Sequence, residues 1–236
     1  MSEGTETNVK RIGFGKRVCA ERGECVLNSD KGPTIIIDCG YDNKHSERNI
    51  KSLVVQLSLS YSCIRRSSTP LRLIICGVSD RLYEGLLRTL AYNWVGVELI
   101  RQGLRELLSE RYASGSRDGS ATEGASRDSE CNITYLTADS DNVLQHGDGI
   151  GFGREQVFII GGIIDRNRHK NASRVRAEEL NLETARLPIR ESGVTLSSNE
   201  VLTVNHVVEC IVRRCEGANW RDAFSSVLPK RKVGAA

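Results

Sequence analysis

Five short apolar runs separated by stretches of helical period predict an α/β domain, a mostly parallel sheet flanked by helices on both faces. Two bulk properties agree with it. At 236 residues and 39% hydrophobic content, the chain can bury one sizeable core. A formal charge of only +3 means that any affinity for a polyanion has to come from clustered basic side chains.

Taken in order, residues 1–32 are polar, with Lys10, Arg11, Lys16, Arg17 and Arg22 scattered through them, and they read as a short, basic flexible arm. The domain is expected over 33–232, with 233–236 as a tail. "TIIID" (34–38) is an apolar run of strand length. From Ile50 the apolar positions run Ile50, Leu53, Val54, Leu57, Tyr61 and Ile64, a helical stripe with Ser46 as N-cap. "LRLIIC" (71–76) reads as a second strand, and "RLYEGLLRTLAY" and "ELIRQGLRELLSERY" as helices. "CNITYL" (131–136) and "VFII" (157–160) give a third and a fourth strand. "SRVRAEEL" reads as a short helix and "TARLPI" (184–189) as the fifth strand. The last well-defined helix starts near Thr203, carries Val204, Val207, Val208, Ile211 and Val212 on one side, and stops at Gly217, a residue suited to a helix terminus. Residues 113–130, "ASGSRDGSATEGASRDSE", are almost devoid of apolar side chains and read as a disordered insertion.

Cys39, Cys63, Cys76, Cys131 and Cys210 lie in apolar runs and read as small core hydrophobes. The remaining cysteine spacings lack the paired CxxC pattern of structural zinc, so no metal is expected and a reducing compartment is the simpler reading. No apolar run approaches the roughly 20 residues of a membrane span. "GIGFG" (149–153) precedes a strand instead of following one, which is the wrong context for a dinucleotide loop, and no phosphate-binding P-loop, nucleophile elbow or HExxH is present.

What remains is a set of polar residues at predicted strand ends: Asp38 and Asp42, Thr137 and Asp139, Asp165, and Asn205 and His206 at the start of the last helix. In a parallel sheet these ends gather on one edge, where ligands bind. "FIIGGIIDRNRHK" (158–170) is the most suggestive piece. It ends a buried strand on glycines that let a ligand approach the backbone and then sets Asp165 among Arg166, Arg168, His169 and Lys170.

"YLTADSDNVL", "VFIIGGIIDRNRHK", "AEELNLETARLPI", "VLTVNHVVECI" and "NWRDAFSSVLPKRK", in this order and together with "IIIDCGYD", closely resemble the tRNA methyltransferases that modify N1 of the purine at position nine, a monomeric branch of the SPOUT superfamily. The resemblance covers roughly residues 33–232 apart from the insertion. It implies a C-terminal deep trefoil knot, which periodicity does not reveal. It also implies S-adenosylmethionine bound near Leu136, Thr137, Gly161, Asp165, Arg166, Asn167, Arg168, His169, Ala177, Leu187, Pro188, Ile189, Leu202, Thr203, Val204 and Asn205. Asp165 stands where the family has its proposed base.

The implied tRNA partner calls for positive charge along a phosphate path. Lys16, Arg17, Arg65, Arg66, Arg166, Arg168, Lys170, Arg174, Arg176, Lys230, Arg231 and Lys232 are the candidates. The tail "PKRKV" resembles a short nuclear-import signal, so nucleus and/or cytoplasm is the expected location. Family members usually carry a longer basic N-terminal extension, and a short arm leaves room for an accessory protein. The alternative of a different class is a catalytically inactive tRNA-binding protein of the same fold that acts with a partner.

Overall fold

The computed structural model describes residues 32–112, 131–144, 152–164, 170–196 and 200–229. Strand β1 (Thr34–Asp38) is buried along its whole length, the condition of a central strand in a sheet covered on both faces. Around it stand β2 (Arg72–Cys76), β3 (Val97–Leu99), β4 (Asn132–Leu136), β5 (Gln156–Gly161) and β6 (Glu183–Ala185). Their spatial order is β3-β2-β1-β5-β4-β6, and every pairing is parallel. The chain thus builds outward from β1 through β2 to β3, crosses to β4, fills the gap with β5 and finishes on the far edge with β6. The direction of travel reverses between β1 and β5, where Asp38 pairs with Gly161, and a crevice opens outside the carboxyl ends of strands at such a reversal.

Period-two alternation divides the core. Ile35, Ile37, Leu73, Ile75, Phe158 and Ile160 face one layer of helices, and Ile36, Ile74, Tyr135, Val157 and Ile159 face the other. The first layer holds α1 (Glu47–Arg66), α2 (Asp80–Arg88), α5 (Val204–Cys215) and α6 (Trp220–Val227), and the second holds α3 (Leu104–Arg111) and α4 (Ala172–Glu179). The α1 stripe read from the sequence is buried as expected, and Ser46 Oγ accepts the Asn49 N–H at 3.3 Å. α1 and α5 pack together, and the buried Gln56 side chain accepts the Val204 N–H at 3.0 Å, satisfying one orphan donor of the α5 N-terminus.

Three elements depart from expectation. β3 was read as part of a helix over 98–112. It ends before Gly103, which N-caps α3. The expected strand over 184–189 stops at Ala185. Pro188 has no N–H to continue a ladder, and the Ile189 N–H turns back to Leu187 O at 2.8 Å. α6 was not expected, although Asn219 followed by Asp222 three residues later is a readable start signal: Asn219 Oδ1 accepts the Asp222 N–H at 2.8 Å. Cys39, Cys76 and Cys210 are core residues, whereas Cys131 is exposed just before β4.

Candidate functional site

The carboxyl ends of β1, β4 and β5 meet in a buried polar network. Asp38 is fully buried, and an isolated carboxylate there would be costly. Its Oδ2 lies 3.1 Å from Arg176 Nε of α4 and accepts from Tyr135 Oη at 3.3 Å, and its Oδ1 accepts the Gly40 N–H at 3.0 Å. Tyr41 Oη and Tyr135 Oη share a hydrogen bond of 2.9 Å. Burial pushes the Tyr41 phenol up to about 12, and burial followed by the neighbouring Asp38 charge raises Tyr135 as well. Both phenols therefore stay protonated as donors. α4 is fastened to the sheet by this network, and its first turn forms one wall of the crevice.

The crevice holds a cavity of about 120 Å³ behind an open mouth. Leu136, Ile160, Ile163, Leu187, Ile189, Leu202, Val204 and Val207 make it largely apolar, and Thr137, Asp139, Ser173, Arg186 and Glu200 supply polar groups. The loops after β4 and β6 are knitted together: Thr137 N–H donates to Ala185 O (3.0 Å), Arg186 N–H to Asn142 O (2.8 Å) and Leu144 N–H to Arg186 O (2.8 Å). Gly161 forms part of the floor, and a Cβ there would lie 2.7 Å from Ser173 Oγ and 3.4 Å from Tyr135 Oη. A side chain there would have to displace the Ser173 hydroxyl.

Of the residues expected at a cofactor site, Leu136, Thr137, Gly161, Leu187, Ile189, Leu202 and Val204 line the crevice together. Pro188, Thr203 and Asn205 adjoin these without lining it, and Thr203 Oγ1 donates to Asn205 Oδ1 at 2.9 Å. Ala177 is fully buried in the second core layer with Tyr135 and Ile159 and does not line the crevice. Asp165, Arg166, Asn167, Arg168 and His169 lie outside the described residues, as do Lys16, Arg17, Lys230, Arg231 and Lys232.

Two strand-end acids are also corrected. Asp38 is an internal ion-pair partner, and Asp42 accepts from Ser79 Oγ at 2.9 Å, away from the crevice. Asp139 does line the crevice, and its Oδ2 accepts the Asn171 N–H at 3.1 Å, which anchors the residue before α4.

The expected basic path is only partly assembled. Lys170 is exposed beside the crevice. Arg174 is engaged by Asp141 (3.2 Å) and Glu178 (3.1 Å), and Arg176 by Asp38. Arg65 and Arg66 are exposed at the far end of α1, about 30 Å along its axis from Glu47, and α1 runs antiparallel to β1 and β2, so these arginines and the crevice occupy opposite ends of the sheet. Ser173, Arg186, Glu200 and Val207 were not anticipated. Arg186 stands directly before the predicted Leu187, Val207 lies in the quoted "VLTVNHVVECI" and Ser173 opens "SRVRAEEL".

The chain matches the tRNA (guanine(9)-N(1))-methyltransferase TRM10/TRM10A family over residues 5–233. It is 33% identical over 205 residues to a tRNA (guanine(9)-N1)-methyltransferase of Kluyveromyces lactis, covering 87% of this chain and 60% of the relative. A protein of the same name from Candida glabrata is 31% identical over 230 residues, covering 94% and 71%. The crystal structure of full-length spTrm10 in complex with SAH superposes with a TM-score of 0.68 at 28% identity, over 85% of this chain and 95% of that one. The chain spans 60% and 52% of the length of the Kluyveromyces lactis relative and of a further relative from Aspergillus fumigatus.

Proposed function

The chain belongs to the tRNA (guanine(9)-N(1))-methyltransferase TRM10/TRM10A family, and from that premise we propose that it transfers a methyl group from S-adenosylmethionine to N1 of the purine, guanine first, at position nine of tRNA. The observation that carries this reading is the crevice outside the carboxyl ends of β4, β5 and β6, apolar inside, polar at its rim and floored by Gly161. These features fit a bent nucleoside ligand. The solved relative spTrm10 has been crystallised with SAH, the demethylated product of such a donor.

When bound, S-adenosylmethionine supplies an electrophilic methyl group on a sulfonium. The residues of the chain then have three tasks. Leu136, Ile160, Leu187, Ile189 and Val204 exclude water from the bound nucleoside, and Gly161 lets it lie against the backbone. Asp165 accepts a proton. Guanine N1 carries a proton at neutral pH, and as the new C–N bond forms, the N–H electron pair stays with the ring while the proton passes to the carboxylate. An ordinary Asp with a pKa of about 3.9 is a weak base, but N1 becomes strongly acidic late in the transfer, when a positioned carboxylate suffices. Adenine N1 already offers a lone pair, and there the same carboxylate would stabilise the cationic product.

The finer parts of the reading go with it. The return of the chain from β6 at the sheet edge to α5, which packs on α1 and β5, supports a C-terminal trefoil knot. Lys170 and the basic residues of the 1–32 arm and the 230–232 stretch are proposed to hold phosphates, in a monomeric protein of the nucleus or cytoplasm. No helix among the described residues is long and apolar enough to cross a membrane.

The test is methyl transfer to matched tRNA transcripts bearing guanosine, adenosine or cytidine at position nine, with the modified nucleoside identified by mass spectrometry. N1-methylation of a purine and none with cytidine is expected. Tight tRNA binding without transfer to any of them would favour the inactive binding protein. Asp165→Asn is expected to leave fold and cofactor affinity intact and to slow transfer to guanine far more than to adenine, and equal losses on both would count against proton acceptance.

A further inference from the structure

Among the described residues, three charged side chains line the crevice: Asp139, Arg186 and Glu200. Two of them are already matched within the protein. Arg186 makes a two-pronged contact with Glu191, at 3.0 and 2.6 Å, and Glu200 pairs with Arg190. Asp139 has no basic side chain within ion-pair distance among the described residues. Its neighbour Arg174 donates to the Asp139 carbonyl at 2.9 Å and is engaged by the carboxylates of Asp141 and Glu178. Asp139 Oδ2 accepts the Asn171 N–H at 3.1 Å, and Oδ1 has no partner among the described residues.

A half-buried carboxylate in water needs no counter-charge. A ligand that fills the crevice takes that water away, and a charge covered without a partner costs binding energy. The occupant must therefore bring a cation to Asp139. The two walls of the crevice indicate which part of the ligand that is. Leu187, Ile189 and Val204 belong to the first core layer, with Leu202 packed against it, and they suit a nucleoside. Thr137, Asp139 and Ser173 line the crevice on the α4 side. There the Asp139 N–H donates to Thr137 Oγ1 at 3.3 Å, and the Asp139 carboxylate holds the residue before α4.

Resting on the methyltransferase reading, we propose that Asp139 binds the α-ammonium group of S-adenosylmethionine and so selects a nucleoside that carries an amino acid. The sulfonium is the wrong cation for this carboxylate. Its charge disappears as the methyl group leaves, so a carboxylate held against it would favour the bound donor over the transition state. The ammonium keeps its charge throughout the transfer, and its three N–H donors suit a carboxylate oxygen that the protein leaves open.

The test pairs one substitution with one change of ligand, read by calorimetry. Asp139→Asn removes the charge and keeps an acceptor for the Asn171 N–H, and Asp139→Ser does the same with a hydroxyl should the amide disturb folding. The ligands are S-adenosylhomocysteine and its deaminated analogue, in which hydrogen replaces the amino group. Wild type should bind S-adenosylhomocysteine about tenfold or more tighter than the analogue. Asp139→Asn should weaken S-adenosylhomocysteine by about tenfold or more and leave the analogue unchanged or tighter, because no unpaired charge is then covered. Equal losses for both ligands would make Asp139 an anchor for α4 alone and overturn the proposal, as would an Asn variant that binds S-adenosylhomocysteine normally. A much larger loss for S-adenosylmethionine than for S-adenosylhomocysteine would put the carboxylate at the sulfonium and overturn it too. A wild type that binds neither of these two overturns the function assigned above. One that binds S-adenosylhomocysteine and its deaminated analogue equally overturns the role of Asp139 alone.

Discussion

A Cβ at Gly161 would sit 2.7 Å from Ser173 Oγ and 3.4 Å from Tyr135 Oη, so one of these neighbours has to give. Ser173 belongs to the first turn of α4, which is pinned to Asp38 through Arg176, and Tyr135 is held in the phenol network with Tyr41. Gly161→Ala must therefore turn the Ser173 hydroxyl away, push α4 outward or force its own β5 exit into the crevice. The α4 route would lengthen the Arg176–Asp38 contact and leave a buried carboxylate short of its partner, so the crevice should absorb the change. The expected outcome is a loss of about tenfold or more in S-adenosylhomocysteine affinity by calorimetry, with a thermal midpoint within a few degrees of wild type. An alanine variant that binds normally would mean that the glycine serves folding alone.

At the scale of elements, legibility followed burial. β1, β2 and β5 appear in the sequence as apolar runs because most of their length is buried on both faces, and the α1 stripe shows because one face is. β3 is three half-buried residues, too few to establish a period, and Gly96 (φ 78°) and Gly103 delimit it only in retrospect. Beyond its ladder with β2 and the packing of Val97 and Leu99, β3 is clamped by ion pairs. Glu98 lies 2.6 Å from Arg72 of β2 and 2.7 Å from Arg111 of α3, joining strand, neighbour and following helix. Burial works to raise the Glu98 carboxyl, but the hydrogen bonds from Arg111 and Arg72 outweigh it and hold the group below its ordinary 4.5. A depressed folded-state value means that the stabilisation is whole above the unfolded range and is lost as pH falls through the folded value. Between about pH 5 and pH 3 the urea midpoint of wild type should therefore drop more steeply than that of Glu98→Gln, which has already lost the charge. Parallel profiles for the two proteins would show that the clamp adds nothing beyond packing.

For the molecule as a whole, the site was legible in pieces and not as an assembly. The glycine pair after β5, the polar turn after β4 and the Val207 stripe of the last helix stand out, but nothing local says that they meet Glu200 and Ser173, and only the fold brings them to one crevice. That assembly makes a prediction about cooperativity. The crevice is lined from β4, β5, the loop after β6, α4 and α5, so a ligand bound there stabilises every one of those elements at once. S-adenosylhomocysteine at one hundred times its Kd should add about 2.7 kcal/mol to the unfolding free energy in a single transition. Residues 113–130 read in the sequence as an insertion. Tyr112 reaches Thr34 at the start of β1, and β4 begins two strands away, about 10 Å at the usual spacing of strands, a gap that a short Gly/Ser linker spans. Replacing residues 113–130 by six such residues should leave both the baseline stability and the ligand increment unchanged in urea denaturation. If the replacement removes the increment while the protein still folds, the insertion supports the crevice from outside, and the site is larger than its lining. If instead the ligand splits the unfolding into two transitions, the elements around the crevice do not unfold as one unit, and the packing of α5 against both α1 and the sheet is weaker than the Gln56–Val204 bond at their contact implies.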